Sequence, residues 1–442
     1  MNRRQFLLSS TAFAAVPAFP AILSNRSPNS RLSHACVGTA NMAGADLHDI
    51  SSHQRTHITA LCDVDSAYLA AAHKRFPDAR IYRNWKEMLE KEGDKIDSVN
   101  VSTPDHMHAP IVLDALARGK NVYAQKPLCH ELEDCRKIEK LSNEKKAVTQ
   151  LGTQIASWTC DRQTVAAIES GAIGRIQHVW LFTNSGGFAR GARTWPLPED
   201  PVPETLDWKL WLGHVPYRPY AKGVYHPGTW RRWRAFGSSW LGDMGSHIFS
   251  PVWLGMHLDK LGPTAVRAEV IDDHWSAAFK EQYWPRMCHI TWTFPGVKAT
   301  GDQPFEMEWL DGDAGNSPSS FLLPPHIQAL AEQTHFKKMP VQGRVIEGEE
   351  GWIISHHFGG VPGSMPAFVM KNGKTAPALP ELPDVRNHYH DYLDCCLDGG
   401  APRSRFAWSA RLTETLILGN EAQLVPGKTI KWNAATGERK IV

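Results

Sequence analysis

Short apolar runs alternate with longer amphipathic segments through the first third of the chain. Residues 34–37, 58–62, 98–101, 121–124 and 147–151 read as buried strands. Residues 43–50 read as a helix, as does the following segment that carries Leu69, Ala72 and Phe76 on one side. Other Ala- and Leu-rich helices fall between the later strands. This alternation predicts a parallel, doubly wound α/β sheet of the Rossmann kind. From residue 152 the pattern changes. Alternating strands at 176–184 and 288–294 mix with helices, and residues 295–384 are Pro- and Gly-rich, reading as further sheet with long loops. Residues 387–397 and 410–423 read as helices.

The chain opens differently. Arg3-Arg4 precedes an apolar run over residues 6–16, with small residues at Ala12, Ala14, Ala18 and Ala21. This is a signal-peptide layout, and the paired Arg ahead of Phe6-Leu7 is similar to a twin-arginine signal. The expected organisation is a signal and linker over 1–30, a dinucleotide-binding domain over 31–151, and an α+β substrate and oligomerisation domain over 152–442. The expected location is periplasmic or otherwise exported, with the twin-arginine machinery as a partner.

Composition narrows the classes. With 442 residues, 42% apolar and 21% charged, the chain suits two globular domains. A net charge of +2 excludes a strong polyanion-binding profile, so no nucleic-acid partner is expected. After the leader, no apolar stretch is long enough for a membrane-spanning helix. The 17 Trp suit packing on sugar rings as well as a large core. The eight Cys show no Cys-x-x-Cys pair, which predicts buried free thiols, and the spacing of His356-His357 and His388-Tyr389-His390 predicts no metal site.

The candidate chemistry of the first domain is phosphate cradling. Gly38, Ala40 and Ala43 occupy the three fingerprint positions after the first strand, with Thr39, Asn41 and Met42 in the same loop. A helix N-terminus there offers free N–H groups to a pyrophosphate. Asp63 ends the second strand, and a carboxylate at that place favours a free ribose 2′-hydroxyl, hence NAD over NADP.

Two further strand ends carry motifs. One is Ser102-Thr103-Pro104-Asp105-His106-Met107-His108, and the other is Gln125-Lys126-Pro127. They resemble the Thr-Pro-x-x-x-His and Glu-Lys-Pro signatures of the glucose–fructose oxidoreductase/inositol dehydrogenase/rhizopine-catabolism (Gfo/Idh/MocA) family. Residues 206–213, Tyr217-Arg218-Pro219-Tyr220, Trp230-Arg231-Arg232-Trp233 and Gly242-Asp243-Met244-Gly245-Ser246-His247 resemble its signal-bearing bacterial members. Gln125 stands where the signature has Glu, and Ala40 where the fingerprint has Gly. The resemblance implies a Rossmann domain followed by an open, mostly antiparallel sheet, a cis bond before Pro127, and homodimers or homotetramers. It implies cofactor contacts from Gly38, Thr39, Ala40, Asn41, Met42, Asp63, Ser102, Thr103, Pro104, His106, His108, Gln125, Lys126 and Gln154. It implies substrate contacts from Trp230, Arg231, Trp233, Asp243 and His247.

Lys126, Asp243 and His247 form the expected catalytic group. Asp243 and His247 are four apart, which on a helix puts both on one face. Oxidising a sugar hydroxyl requires a proton acceptor, for which His247 is suited, and an ammonium beside the alkoxide, for which Lys126 is suited. The expected function is hydride transfer between a nicotinamide dinucleotide and a sugar, sugar derivative or cyclitol. Two alternatives stand beside it: a redox-neutral glycosidase or lyase using transient oxidation of a ring hydroxyl, and a non-catalytic sugar-binding protein. Twin-arginine export carries folded proteins, so the cofactor would be loaded before export and held tightly.

Overall fold

The computed structural model describes residues 31–184, 195–272, 275, 277–312, 322–357, 364–379, 381–383, 385 and 387–442. The predicted signal and linker over 1–30 lie outside them. The first unit runs β1 (Leu32–Val37), α1 (Met42–Ser51), β2 (Thr56–Cys62), α2 (Ser66–Arg75), β3 (Arg80–Tyr82), α3 (Trp85–Glu92), β4 (Ser98–Val101), α4 (His108–Ala117), β5 (Asn121–Ala124), α5 (Leu132–Lys145) and β6 (Thr149–Leu151). The six strands pair in parallel in the order β3-β2-β1-β4-β5-β6. The predicted doubly wound sheet is therefore present. The short β3, whose Arg80 and Ile81 are exposed, carries no apolar run and was not legible as a strand.

Alternate side chains of the central strands face opposite layers. Ala35, Val37, Val99 and Val122 join one core, whereas Leu32, Cys36 and Leu61 join another. Period-two geometry sends neighbours to opposite faces, and a parallel sheet buries both.

The chain continues through α6 (Thr159–Glu169), β7 (Ile176–Thr183), α7 (Trp208–Leu212), a π-helical turn (Leu241–Gly245), α8 (Ser246–Gly255), β8 (Ala265–Val270), α9 (Ala277–Lys280), β9 (Cys288–Phe294) and β10 (Phe305–Asp311). It closes with α10 (Pro325–Ala329), β11 (Gln342–Gly348), β12 (Gly351–His356), β13 (Ala367–Met370), α11 (His388–Asp398), α12 (Phe406–Leu424), β14 (Thr429–Asn433) and β15 (Glu438–Ile441). Nine strands form an open sheet in the order β13-β12-β11-β7-β10-β9-β8-β14-β15. Every neighbouring pair is antiparallel except β7 with β10. The predicted α+β sheet is thus present, and the Pro- and Gly-rich stretch contributes four of its strands.

One segment departs from the expected linear division. Helix α11 lies within residues 152–442 yet packs on the first sheet, where Tyr389, Tyr392, Leu393 and Leu397 join Leu32, Leu47 and Leu61 in one core. Its apolar residues recur at helical spacing and complete a face that residues 31–151 leave uncovered. Helix α12 is buried along most of its length between α5 and the second sheet. No helix among the described residues is long and apolar enough to cross a membrane.

Candidate functional site

The phosphate loop is shaped by two backbone conformations. Gly38 has φ +94°, and a Cβ there would stand 2.4 Å from the Ser102 carbonyl oxygen. Only glycine takes this conformation and this approach without strain. Asn41 also has positive φ, at 54°, and no side chain caps α1 among the described residues. The free N–H groups of its first turn are left to the cleft that Thr39, Ala40, Asn41, Met42 and Ala43 line. Asp63 closes the loop by accepting from the Thr39 N–H and hydroxyl at 2.9 Å each and from the Asp65 N–H at 3.0 Å. Burial pushes its carboxyl up, opposed by those hydrogen bonds. Thr103 Oγ1 is buried without a hydrogen-bond partner beside the same space. These donors, a glycine cradle and an orphaned hydroxyl fit a dinucleotide.

The cleft, of about 330 Å³, brings together Gly38, Thr39, Ala40, Asn41, Met42, Asp63, Ser102, Thr103, Pro104, Gln125, Lys126, Trp230, Arg231 and Asp243. The Lys126–Pro127 peptide is cis. Lys126 Nζ makes an ion pair with an Asp243 carboxylate oxygen and donates to the Asp243 carbonyl at 2.9 Å. Arg231 Nε lies 3.4 Å from the other Asp243 oxygen, and its guanidinium covers the Trp230 ring at 4.3 Å. Burial opposes ionisation of Asp243, but Lys126 and then Arg231 outweigh it and hold the carboxyl below its usual value.

Five expected contacts stand off this cleft. His108 bridges two turns, with Nε2 at 2.8 Å from the Thr103 carbonyl oxygen and Nδ1 at 2.7 Å from that of Pro127. That geometry accounts for a His five residues after Thr103: it staples the two strand ends together. His106 lies 3.2 Å from the Trp211 carbonyl oxygen among Trp211 and Phe236, and burial pushes it down to about 3. Gln154 donates to the hydroxyl of Tyr389 at 3.0 Å. Trp233 is 1% exposed and packs against Tyr225 and Tyr283, so it builds the wall rather than its surface. His247 follows the π-helical turn that carries Asp243, which alters the simple i, i+4 register of an α-helix. It is buried beside His357, with ring centroids 5.5 Å apart. Burial, reinforced by Lys126 and His357, pushes its imidazole well below the ordinary value.

The cleft also includes residues that no motif marked. Tyr68 comes from α2, Arg83 and Trp85 from the β3–α3 junction, and His226 from a loop. Their sequence neighbourhoods look like ordinary surface. Asp105 and Trp211 lie inside recognised motifs, and their motif membership was the available signal. Among the described residues no group of three His, Cys, Asp or Glu is arranged to hold a metal ion.

Comparison with known proteins agrees with this architecture. Residues 32–153 match an oxidoreductase-family model described as an NAD-binding Rossmann fold, and residues 165–294 match the family's C-terminal alpha/beta domain. The chain is similar to inositol 2-dehydrogenase of Rubrobacter xylanophilus, 28% identical over 34% of this chain and 43% of that one. It is also similar to a glycosyl hydrolase family 109 protein of Stenotrophomonas maltophilia, 27% identical over 40% of this chain and 41% of that one. These matches thus span about two fifths of the curated relatives' length. Among solved structures, aldose-aldose oxidoreductase from Caulobacter crescentus shares the fold at TM-score 0.59 and 16% identity, over 91% of this chain and 99% of that one. The two family models together cover more than half of the sequence, and with the strand-end motifs gathered in one cleft, the chain belongs to the Gfo/Idh/MocA family of oxidoreductases.

Proposed function

We propose that the protein is an NAD-dependent oxidoreductase acting by hydride transfer on a sugar, sugar derivative or cyclitol. The observation that carries this reading is the position of Lys126, whose ammonium shares one cleft with the phosphate loop and Asp63. Bound NAD supplies the hydride acceptor. Gly38 to Met42 would hold its phosphates, and Asp63 would hold a ribose and favour an unphosphorylated 2′-hydroxyl. Lys126 donates a hydrogen bond to the reacting hydroxyl and stabilises negative charge as its proton leaves. Asp243 fixes the ammonium, and Arg231 shares the charge of Asp243. His247, kept unprotonated by burial, is the candidate proton acceptor, although it stands behind the cleft lining beside His357. Trp230 and Trp211 offer aromatic surface to the substrate.

The Arg3-Arg4 leader supports a twin-arginine, exported protein that carries its NAD from the cytoplasm. That supports a second reading, in which the same residues run a redox-neutral cleavage and the NAD is restored in each cycle. Similarity to a protein named for glycosyl hydrolase family 109 favours it.

One experiment addresses both. The purified protein is denatured to measure released NAD, and the native protein is screened against free sugars and glycosides by absorbance and product analysis. Steady NADH formation with added NAD supports the dehydrogenase. Product without net NADH supports redox-neutral cleavage. Failure to bind NAD or NADP at all would overturn both.

A further inference from the structure

Gln125 stands where the family signature has a carboxylate, and the structure shows a carboxylate beside it from another element. Asp46, in the second turn of α1, is 0% exposed. Its two oxygens accept from Gln125 Nε2 at 2.9 Å each, from Ser102 Oγ at 2.6 Å and from the Tyr389 hydroxyl at 2.7 Å. Burial raises its carboxyl to about 6, against the pull of these three donors. Each donor belongs to a different part of the fold. Ser102 opens the turn after β4, Gln125 precedes Lys126 at the end of β5, and Tyr389 lies on α11.

Gln125 has little freedom to leave. A Cβ on Gly152 would stand 2.8 Å from the Gln125 amide, so that residue packs directly on the side chain. Gln125 Oε1 faces back toward the Lys126 N–H at 3.4 Å. An amide matches this place because Nε2 can donate to both oxygens of Asp46. Glu at residue 125 would set two buried carboxylates against each other and force them to share a proton.

We propose that Asp46 is a positioning residue for Lys126, supplying from α1 the carboxylate that residue 125 lacks. One buried side chain ties the phosphate-loop helix to both strand-end turns. The turn thus carries one buried carboxylate, with the negative member on the helix and the amide at residue 125. The network extends through Asn100, which donates to Ser102 Oγ at 2.9 Å, and through Gln154, which donates to Tyr389. This gives Gln154 a place in the site without touching its contents. The inference rests on the reading that Lys126 serves the reaction.

The test exchanges the two groups. Asp46→Asn and Gln125→Glu are each expected to lower kcat at least ~10-fold at saturating NAD with sugar KM within ~3-fold, and Asp46→Asn/Gln125→Glu to recover most of that loss. Tyr389→Phe, which removes one donor and no charge, is expected to cost less and to fold if the charge variants do not. Melting temperatures report stability separately. A merely structural role would lower them while leaving the kcat of the folded enzyme unchanged, and that result would overturn the proposal, as would a double variant no better than the worse single one. A second readout needs no turnover. Lys126 is labelled with pyridoxal phosphate and borohydride in the absence of substrate, and the modified peptide is quantified by mass spectrometry. Asp46→Asn is expected to change the labelling rate at least ~3-fold and the double variant to restore it. Unchanged labelling overturns the positioning role whatever the enzyme catalyses. The expected labelling pattern in a protein that turns over no sugar overturns the functional reading alone.

Discussion

Lys126 and Asp243 are 117 positions apart in sequence, yet the lysine ammonium donates to both the carbonyl and the carboxylate of that aspartate. The pair joins the turn after β5 to the π-helical turn before α8. Side-chain exposures of 13% and 10% leave it in contact with the cleft while excluding most water. Removing Lys126 leaves Asp243 buried with Arg231 as its remaining cationic partner among the described residues. Lys126→Met is therefore expected to lower turnover by ~100-fold or more, the scale of losing a positioned acid–base or charge-stabilising group. It is also expected to destabilise the fold by ~3 kcal/mol, the cost of stranding one member of a buried pair. Steady-state kinetics and denaturant unfolding check the two parts, and full turnover in the variant would remove Lys126 from the reaction.

Asp63 ought to set cofactor choice. Its carboxyl is held by the Thr39 N–H and hydroxyl, so its place at the edge of the cleft is fixed. Asp63→Ala is expected to weaken NAD binding ~10-fold or more, losing about 1.4 kcal/mol, and to narrow the preference over NADP. Titration of both dinucleotides against tryptophan fluorescence measures this. An unchanged NAD/NADP ratio would assign Asp63 to loop structure alone.

Gly38→Ala meets two obstacles at once. The residue has positive φ, and the new methyl would lie 2.4 Å from the Ser102 carbonyl oxygen. A strained backbone of this kind costs ~1–3 kcal/mol. A lower melting temperature together with weakened NAD binding is expected, since the clash pushes the phosphate loop from the β4 turn. A variant matching the wild type in both would refute the geometry.

Glu308 gives a pH-dependent prediction remote from the cleft. It lies across neighbouring strands from His178, at 2.6 Å, and from His289, at 2.5 Å. Burial raises its carboxyl, but the two histidines outweigh this and bring it to about 2. A depressed folded pKa means that the stabilisation is present above the ordinary carboxyl value near 4.5 and is lost as pH falls toward 2. Glu308→Gln is expected to lower the melting temperature at pH 7. The difference from wild type should shrink as pH drops below 4.5, and a difference independent of pH would contradict the pairing.

Much of the first unit was legible because a parallel sheet buries both faces of its strands and so writes continuous apolar runs. Residues 98–101 and 121–124 coincide with β4 and β5, and the loop after β1 was marked by Gly38. β3 was missed because a short edge strand with exposed side chains carries no such run. Motif membership alone did not separate side chains that face the cleft from those that hold it together. His106, His108, Gln154 and Trp233 illustrate the difference: the last is enclosed by Tyr225 and Tyr283, and His108 spends both ring nitrogens on the turns of Thr103 and Pro127.

By itself, then, the order of residues marked the parallel sheet and the glycine turn after β1, which depend on local periodicity and backbone freedom, while Lys126 and Asp243 stood out through the resemblance of their motifs to the family. Tertiary structure alone decided that α11 returns to the first sheet, that a π-helical turn presents Asp243 to Lys126, and that Asp46 faces Gln125. Those relationships join residues far apart in the chain, and they arise where packed elements meet to satisfy buried charge, which no local pattern encodes.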